Sequence, residues 1–270
     1  MRWLFIWLSI LLSLASTAGG DPILKGTRFS GMGYSGICLA DPWSLRLNPA
    51  GIAGVDVIMA GVLHQRHFLS NELSDQAIAL VIPAGTGSFG IAADRSGGGL
   101  YNETRTSIAY AMRFGEGLRA GVQIDHFTIA IGDVYGTRNA WLAEVGMQAR
   151  ITDALWIGAH LFDPGSTRIG GPYDDRLPTM LRAGIQYIFS DRLLGNLEVE
   201  KDLDHVERYR IGIEYHPIDA LFLRSGISTA PGMMHFGFGL RLDRLQLDVA
   251  VSTHAQLGAT PMLGLNYAFK

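Results

Sequence analysis

From about residue 56 onward the chain alternates apolar residues with polar or small ones, beat by beat, in segments near ten residues long. Phe236, Phe238, Leu240 and Leu242 are interleaved with His235, Gly237, Gly239 and Arg241. Leu245, Leu247, Val249 and Val251 oppose Gln246, Asp248, Ala250 and Ser252, and Tyr209, Ile211, Ile213 and Tyr215 oppose Arg210, Gly212, Glu214 and His216. A period of two sends successive side chains to opposite faces of an extended strand, so each segment has one apolar and one polar face. The pattern predicts strands near 56–67, 75–84, 87–95, 105–114, 117–127, 140–151, 155–163, 178–189, 193–202, 207–217, 221–229, 233–242, 245–254 and 260–269. That is an even set of about 14, each near the length a tilted strand needs to cross a bilayer.

Alternation serves a soluble barrel or a membrane barrel equally well, with inside and outside exchanged. Three features point to the membrane. The apolar faces carry almost no charge over their central beats, where a lipid-facing cation costs about 2–4 kcal/mol. The opposite faces carry Arg113, Arg119, Asp125, Glu144, Arg150, Arg182, Glu198, Glu200, Arg210, Glu214, Arg224, Arg241 and Asp248, which are therefore expected to face the lumen. Tight turns at 84–86, 115–116, 152–154, 218–220 and 243–244 alternate with longer polar loops at 68–74, 96–104, 131–139, 164–177 and 254–260. Short periplasmic turns and longer external loops alternate in this way in outer-membrane barrels. The short connection at 230–232 and the longer one at 189–193 break the rule. Finally, aromatic residues of the apolar face gather at strand ends: Phe114, Phe189, Tyr215 and Phe269 at one rim, Trp141, Tyr209 and Phe236 at the other. Such rings sit best at headgroup level. The expected fold is all-β, a transmembrane antiparallel barrel over residues 56–270, in contact with outer-membrane lipid.

What precedes the barrel divides in two. Met1-Arg2, an apolar run from Trp3 to Leu14 and the small residues Ala15-Ser16-Thr17-Ala18 read as a signal peptide over 1–18. The run is too short for a helical span, which needs roughly 20 apolar residues. Residues 19–55 do not alternate; Asp41 with Pro42 reads as a capped helix start, and Asn48-Pro49 as a stop or turn. A compact, Gly-rich piece of this kind can fold into the lumen and pair with its polar lining, as a small N-terminal plug. A net charge of −3 with no basic face excludes a nucleic-acid partner. The one cysteine, Cys38, excludes an internal disulfide and reads as a small buried hydrophobe.

Phe29-Ser30-Gly31-Met32-Gly33, Leu39-Ala40-Asp41, Trp43-Ser44 and Asn48-Pro49-Ala50-Gly51 together resemble the start of PorV/PorQ-type proteins, relatives of the FadL transporters. The resemblance covers about 25 residues of the 270. It implies a fourteen-stranded outer-membrane barrel with an N-terminal hatch, to which Asp41, Trp43, Asn48, Pro49, Ala50 and Gly51 would belong. Gly264, Tyr267 and Phe269 resemble the C-terminal signal read by the barrel-assembly machinery, with Met262 and Lys270 as departures from it. The resemblance implies an accessory or scaffold role in the outer membrane, linked in some such proteins to type IX secretion and its partner proteins. The alternative it implies is a FadL-like plugged channel for a small apolar ligand. The external loops here are shorter than the groove-building loops of FadL channels, and a charged lumen suits a greasy tunnel poorly. Both points favour the scaffold.

Nothing in the chain implies an enzyme, a cofactor or a metal. His64 and His67 would point to opposite faces of one strand, Gly97-Gly98-Gly99 lacks the following Lys-Ser/Thr helix of a phosphate loop, and no nucleophile stands near a base. The carboxylate row Glu198, Glu200 and Asp202 is expected to pair with Arg182 or Arg210 on adjacent strands.

Overall fold

A computed structural model of the protein describes residues 25–132, 136–169, 176–203 and 205–269. The proposed signal peptide and the start of the 19–55 segment lie outside these residues, as does Lys270. Fourteen strands form a closed antiparallel barrel in which each pairs with its sequence neighbours and the last closes on the first. The first seven are β1 (Met59–Arg66), β2 (Ser74–Ala84), β3 (Gly87–Gly97), β4 (Tyr101–Phe114), β5 (Leu118–Ile131), β6 (Thr137–Arg150) and β7 (Leu155–Phe162). The others are β8 (Met180–Ser190), β9 (Leu193–Asp202), β10 (Arg208–Ile218), β11 (Leu221–Ser228), β12 (Met233–Leu242), β13 (Leu245–His254) and β14 (Gly258–Ala268). Closure removes the unpaired edges that an open sheet would leave in hydrocarbon.

The apolar beat faces out. Ile78, Ile91, Ile108, Val122, Ile211, Phe238, Val249 and Leu263 are all exposed, while their strand neighbours are covered. Aromatic pairs touch on the outer wall near the end where β1 begins and β14 ends: Phe89 with Tyr110, Tyr187 with Phe189 and Tyr267 with Phe269, with centroids 4.8–4.9 Å apart. The connections at that end are short. The 189–193 connection, expected to be long, is a tight turn at Asp191-Arg192 because strand pairing continues to Ser190 opposite Leu193. At the other end, β4, β5 and β6 extend further than expected, each to 14 residues. Tyr101 to Thr104 pair with Thr128 to Ile131, although both faces are polar or mixed there. Backbone pairing outlasts the apolar alternation once the strands leave the lipid.

Inside the barrel lies the N-terminal segment. It forms α1 (Thr27–Gly31), a 3-10 helix over Pro42–Arg46 and a second over Pro49–Gly54. Asp41 caps the first 3-10 helix, its Oδ1 accepting from Trp43 N–H at 2.9 Å. Asn48-Pro49 does not stop the chain; it starts the second, with Asn48 Oδ1 accepting from Ala50 N–H at 3.1 Å. In both, proline takes the first helical position, where a missing N–H is harmless.

The wall facing this segment is not uniformly polar. Ala77, Ala79, Val81, Ala92, Ala109 and Ala111 point inward from β2, β3 and β4, and Leu45, Ile52 and Trp43 pack with them in one buried cluster. Each large side chain so covered contributes roughly 1.5–3 kcal/mol of apolar burial. The inward beat is therefore charged on one side of the barrel and small and apolar on the other.

Candidate functional site: the filled lumen and its external mouth

Charged side chains on the inward beats of β4 to β13 meet in three groups. In the first, Arg105 pairs with Glu144 and, at 3.1 Å, with Asp125. His160 lies 2.7 Å from Glu144, and Gln123 donates to both carboxylates. Arg46 of the N-terminal segment joins it, donating to Ser107 at 2.5 Å and pairing with Asp94. In the second, Arg182 pairs with Glu198 and reaches Glu200 at 3.1 Å, while Arg210 donates to Glu200 at 2.7 Å and Lys25 stands 3.7 Å from it. Glu198 and Glu200 of β9 are thus held by arginines of β8 and β10, whereas Asp202, the third of the row, lies 2.9 Å from His205 Nδ1. In the third, Glu214 accepts two bonds from Arg28, at 2.6 and 2.9 Å, and one from Arg224 at 2.5 Å; Arg224 also reaches Asp248 at 2.5 Å.

These groups hold the segment as well as each other. Glu198 accepts from the N–H groups of Gly36 and Ile37 at 3.2 Å, and Arg182 donates to the carbonyls of Leu47 and Tyr34. Gln148 donates to the carbonyls of Ile37 and Leu39, Asn48 to those of Ile37 and Met147, and Trp43 Nε1–H to Asn266 at 2.9 Å. The wall thus supplies partners to a stretch with little regular structure, whose buried backbone would otherwise go unpaired. Backbone also meets backbone. A Cβ on Gly226 would stand 2.3 Å from Gly33 N, and one on Gly121 would stand 2.7 Å from Ala50 N.

Three ionisable groups of the segment are strongly shifted. Burial pushes the Asp41 carboxyl up to about 6, only partly offset by Arg28 at 3.7 Å and the Trp43 N–H. Burial works against the Arg28 cation too, but the Glu214 carboxylate outweighs it and the pKa rises. Burial also holds the Cys38 thiol up at about 12, and its Sγ sits 3.7 Å from the Gly184 carbonyl. This is an unreactive thiol among packed neighbours.

Not every residue expected to line the lumen is buried in it. Arg113, Arg119, Arg150 and Arg241 keep the inward beat but lie at the end where β1 begins and β14 ends. Arg113 pairs with Asp56 at 2.5 Å and Arg150 with Glu116 at 3.2 Å, both carboxylates being well exposed. Arg119 lies over Trp156 at 4.5 Å and Arg241 over Phe222 at 4.6 Å. They form a basic rim rather than part of the buried network. Asp41, Trp43, Asn48, Pro49 and Ala50 are buried in the lumen with Gly51, where a Cβ would stand 2.4 Å from Ser44 Oγ. At the C-terminus, Gly264 faces inward against Thr27, Tyr267 and Phe269 touch on the outside, and Phe269 N–H bonds the Ile58 carbonyl at 2.7 Å. Arg105, Asp94 and His160 also belong to the network; Arg105 and Asp94 were obscured because they stand at the ends of their predicted strands.

Above the first charged group, at the external end, the lining changes. Phe127, Ala140, Leu142, Phe162 and Met180 point inward from β5 to β8, covered by Leu177 of the loop that joins β7 to β8. Arg105 lies 5.2 Å beneath the Phe162 ring, which marks the boundary between apolar mouth and charged belt.

A closed fourteen-stranded barrel with a lipid-facing apolar wall and an internally occupied lumen is of the outer-membrane type. No protein-family profile and no curated protein matches the sequence. Solved structures with this fold do. The CymD monoaromatic hydrocarbon channel superposes with a TM-score of 0.73 at 13% identity, over 93% of this chain and 99% of that one. The toluene transporter TbuX of Ralstonia pickettii gives 0.72 at 14% identity, over 93% and 100%. A FadL homologue of Pseudomonas aeruginosa gives 0.66 at 12% identity, over 92% and 99%. The fold is FadL-like.

Proposed function

We propose that the protein is an outer-membrane channel or binding barrel of the FadL-like kind, taking small apolar molecules at its external mouth, with residues 25–55 as an internal hatch. The observation that carries this reading is the apolar cluster of Phe127, Leu142, Phe162 and Met180. An inward-facing patch of this kind has no role in pairing with lipid, and it lies where the barrel opens to the outside. An apolar lining with polar groups at its floor suits a small apolar ligand, which would enter by displacing Leu177 from the cluster it now covers. The fold shared with hydrocarbon channels supports the same choice. A scaffold role of the PorV/PorQ kind has the barrel in its favour but no surface feature that names a protein partner.

The test is uptake of radiolabelled toluene by cells lacking their own hydrocarbon channels. Cells carrying the protein should take it up several-fold faster than cells with an empty vector, and Leu142→Asp should return uptake to background with the barrel still in the membrane. Equal uptake by all three would remove the channel reading. Recovery of a defined outer-membrane complex from cross-linked cells would then support the scaffold.

A further inference from the structure

The outer wall carries one feature that neither a channel nor a hatch explains. Strand register sets His64 opposite Gln76, Gln76 opposite Arg95, and Arg95 opposite Thr104. All four lie on the lipid-facing beats of β1 to β4. Arg95 is two residues from the external end of β3, and Arg66, on the same face as His64, is the last residue of β1. Next to this row is a groove of about 860 Å3. Its apolar lining includes Val62, Ile78, Ala93, Val249, Leu263 and Leu265, and His64, Gln76, Arg95 and Thr104 border it. Ala93 makes the depression, because its small side chain lies between Ile78 and Thr106 on the flanking strands.

The charge is one-sided and uncompensated. On the opposite wall Leu161 faces Leu181, and Leu181 faces Lys201, whose ammonium is held by Glu207 at 2.9 Å. Among the described residues, neither Arg66 nor Arg95 has an anionic or hydrogen-bonding partner. Each arginine of the buried lumenal belt, by contrast, is paired. Unpaired guanidinium groups at the edge of hydrocarbon call for an anion, and their planar fork suits phosphate oxygens. His64 and Arg95 stand two strand spacings apart, about 10 Å.

We propose that this wall holds one phosphorylated, multi-acyl glycolipid of the external leaflet, of the lipid A type. One phosphate binds at Arg95 and Thr104, a second at His64 and Arg66, and an acyl chain lies in the groove over Ala93. Two cationic positions flanking a neutral Gln76 match a headgroup with two separated phosphates better than one with a single phosphate. The inference rests on the outer-membrane reading and not on transport, so loss of toluene uptake would leave it standing.

Native mass spectrometry of the full-length barrel in detergent tests it, with diphosphoryl lipid A, monophosphoryl lipid A and phosphatidylglycerol as separate probes. The expected result is a one-to-one adduct with diphosphoryl lipid A, at least tenfold weaker in the double variant R66Q/R95Q and unchanged in K201Q on the opposite wall. Ala93→Phe, which fills the groove and keeps every charge, should also weaken it several-fold. Each variant is compared after its folded barrel has been verified by resistance to SDS below boiling. Equal binding by wild type and R66Q/R95Q would overturn the proposal. So would equal or tighter binding of phosphatidylglycerol, or an Ala93→Phe variant that binds as wild type does.

Discussion

Glu214 is the residue on which the third charged group depends. Its side chain is fully buried and neutralises both Arg28, from the segment, and Arg224, from the neighbouring strand. Glu214→Gln would leave two buried cations sharing only Asp248 and Asp41. Breaking a buried pair from one side costs about 3–5 kcal/mol. The expected outcome is a barrel that unfolds at clearly lower denaturant, read by tryptophan fluorescence in detergent; an unchanged midpoint would mean that water reaches the group. Asp41 gives a pH dependence of opposite sign to the usual carboxylate. Its pKa in the docked segment, about 6, lies above the ordinary 3.8. The docked state therefore binds the proton more tightly than the free chain does. Its contribution to docking is fullest below pH 4, is lost as the pH rises to 6 and is level above that. Asp41→Asn keeps an acceptor for the Trp43 N–H and cannot ionise. Hydrogen exchange at residues 41–47 should be faster at pH 7 than at pH 4 in the wild type, after correction for intrinsic rates, and should lose this difference in the variant.

At the level of the strand, the fold was legible because burial in lipid and lining of a lumen impose opposite demands on alternate residues. All fourteen strands stand where the period of two put them. What was not legible has physical causes. Strands β4 to β6 run on past the apolar alternation because pairing outside the bilayer needs no apolar face. The small residues on inward beats read as loss of side chain, although Gly121, Gly212 and Gly226 are there because the segment's backbone lies against them. The segment's own contacts were beyond reach, since an irregular chain has no period from which to read its partners. Two substitutions examine these points separately. Val249, midway along β13 on the lipid side, should not tolerate arginine, at a cost of about 2–4 kcal/mol and with visible loss of assembled barrel. Gln246→Arg on the lumenal side of the same strand, beside Asp248 at 2.9 Å, should assemble. Equal yields of SDS-resistant barrel would mean that the faces are reversed. Gly226→Val, whose Cβ alone would meet Gly33 N at 2.3 Å, should undock the segment and leave the barrel closed. The expected reading is protease cleavage near residues 30–36 in the variant alone; protection equal to the wild type would place the segment elsewhere.

The whole molecule divides the work of filling its lumen between wall and segment, and this determines what should happen when one is removed. The wall alone presents buried acids and bases of both signs over β4 to β13 and small apolar residues over β2 to β4. The segment contributes Lys25, Arg28 and Arg46 to that network, and Trp43, Leu45 and Ile52 to the apolar side. With residues 25–55 deleted, the strands retain every backbone hydrogen bond of the closed barrel, because none of the ladder pairs involves the segment. Glu200, Glu214 and Asp94 would each lose a cationic partner and take up water instead, which restores most of the lost stabilisation of a charge. A water-filled lumen with surplus carboxylates should then conduct cations in preference to anions. In planar bilayers the intact protein is expected to be electrically silent. The deletion variant is expected to show stepwise, cation-selective conductance, and restoring the segment as a separate peptide should reduce it. Silence of an assembled, SDS-resistant deletion barrel would show that the wall closes on itself, and that the segment's place inside it is not what blocks the pore.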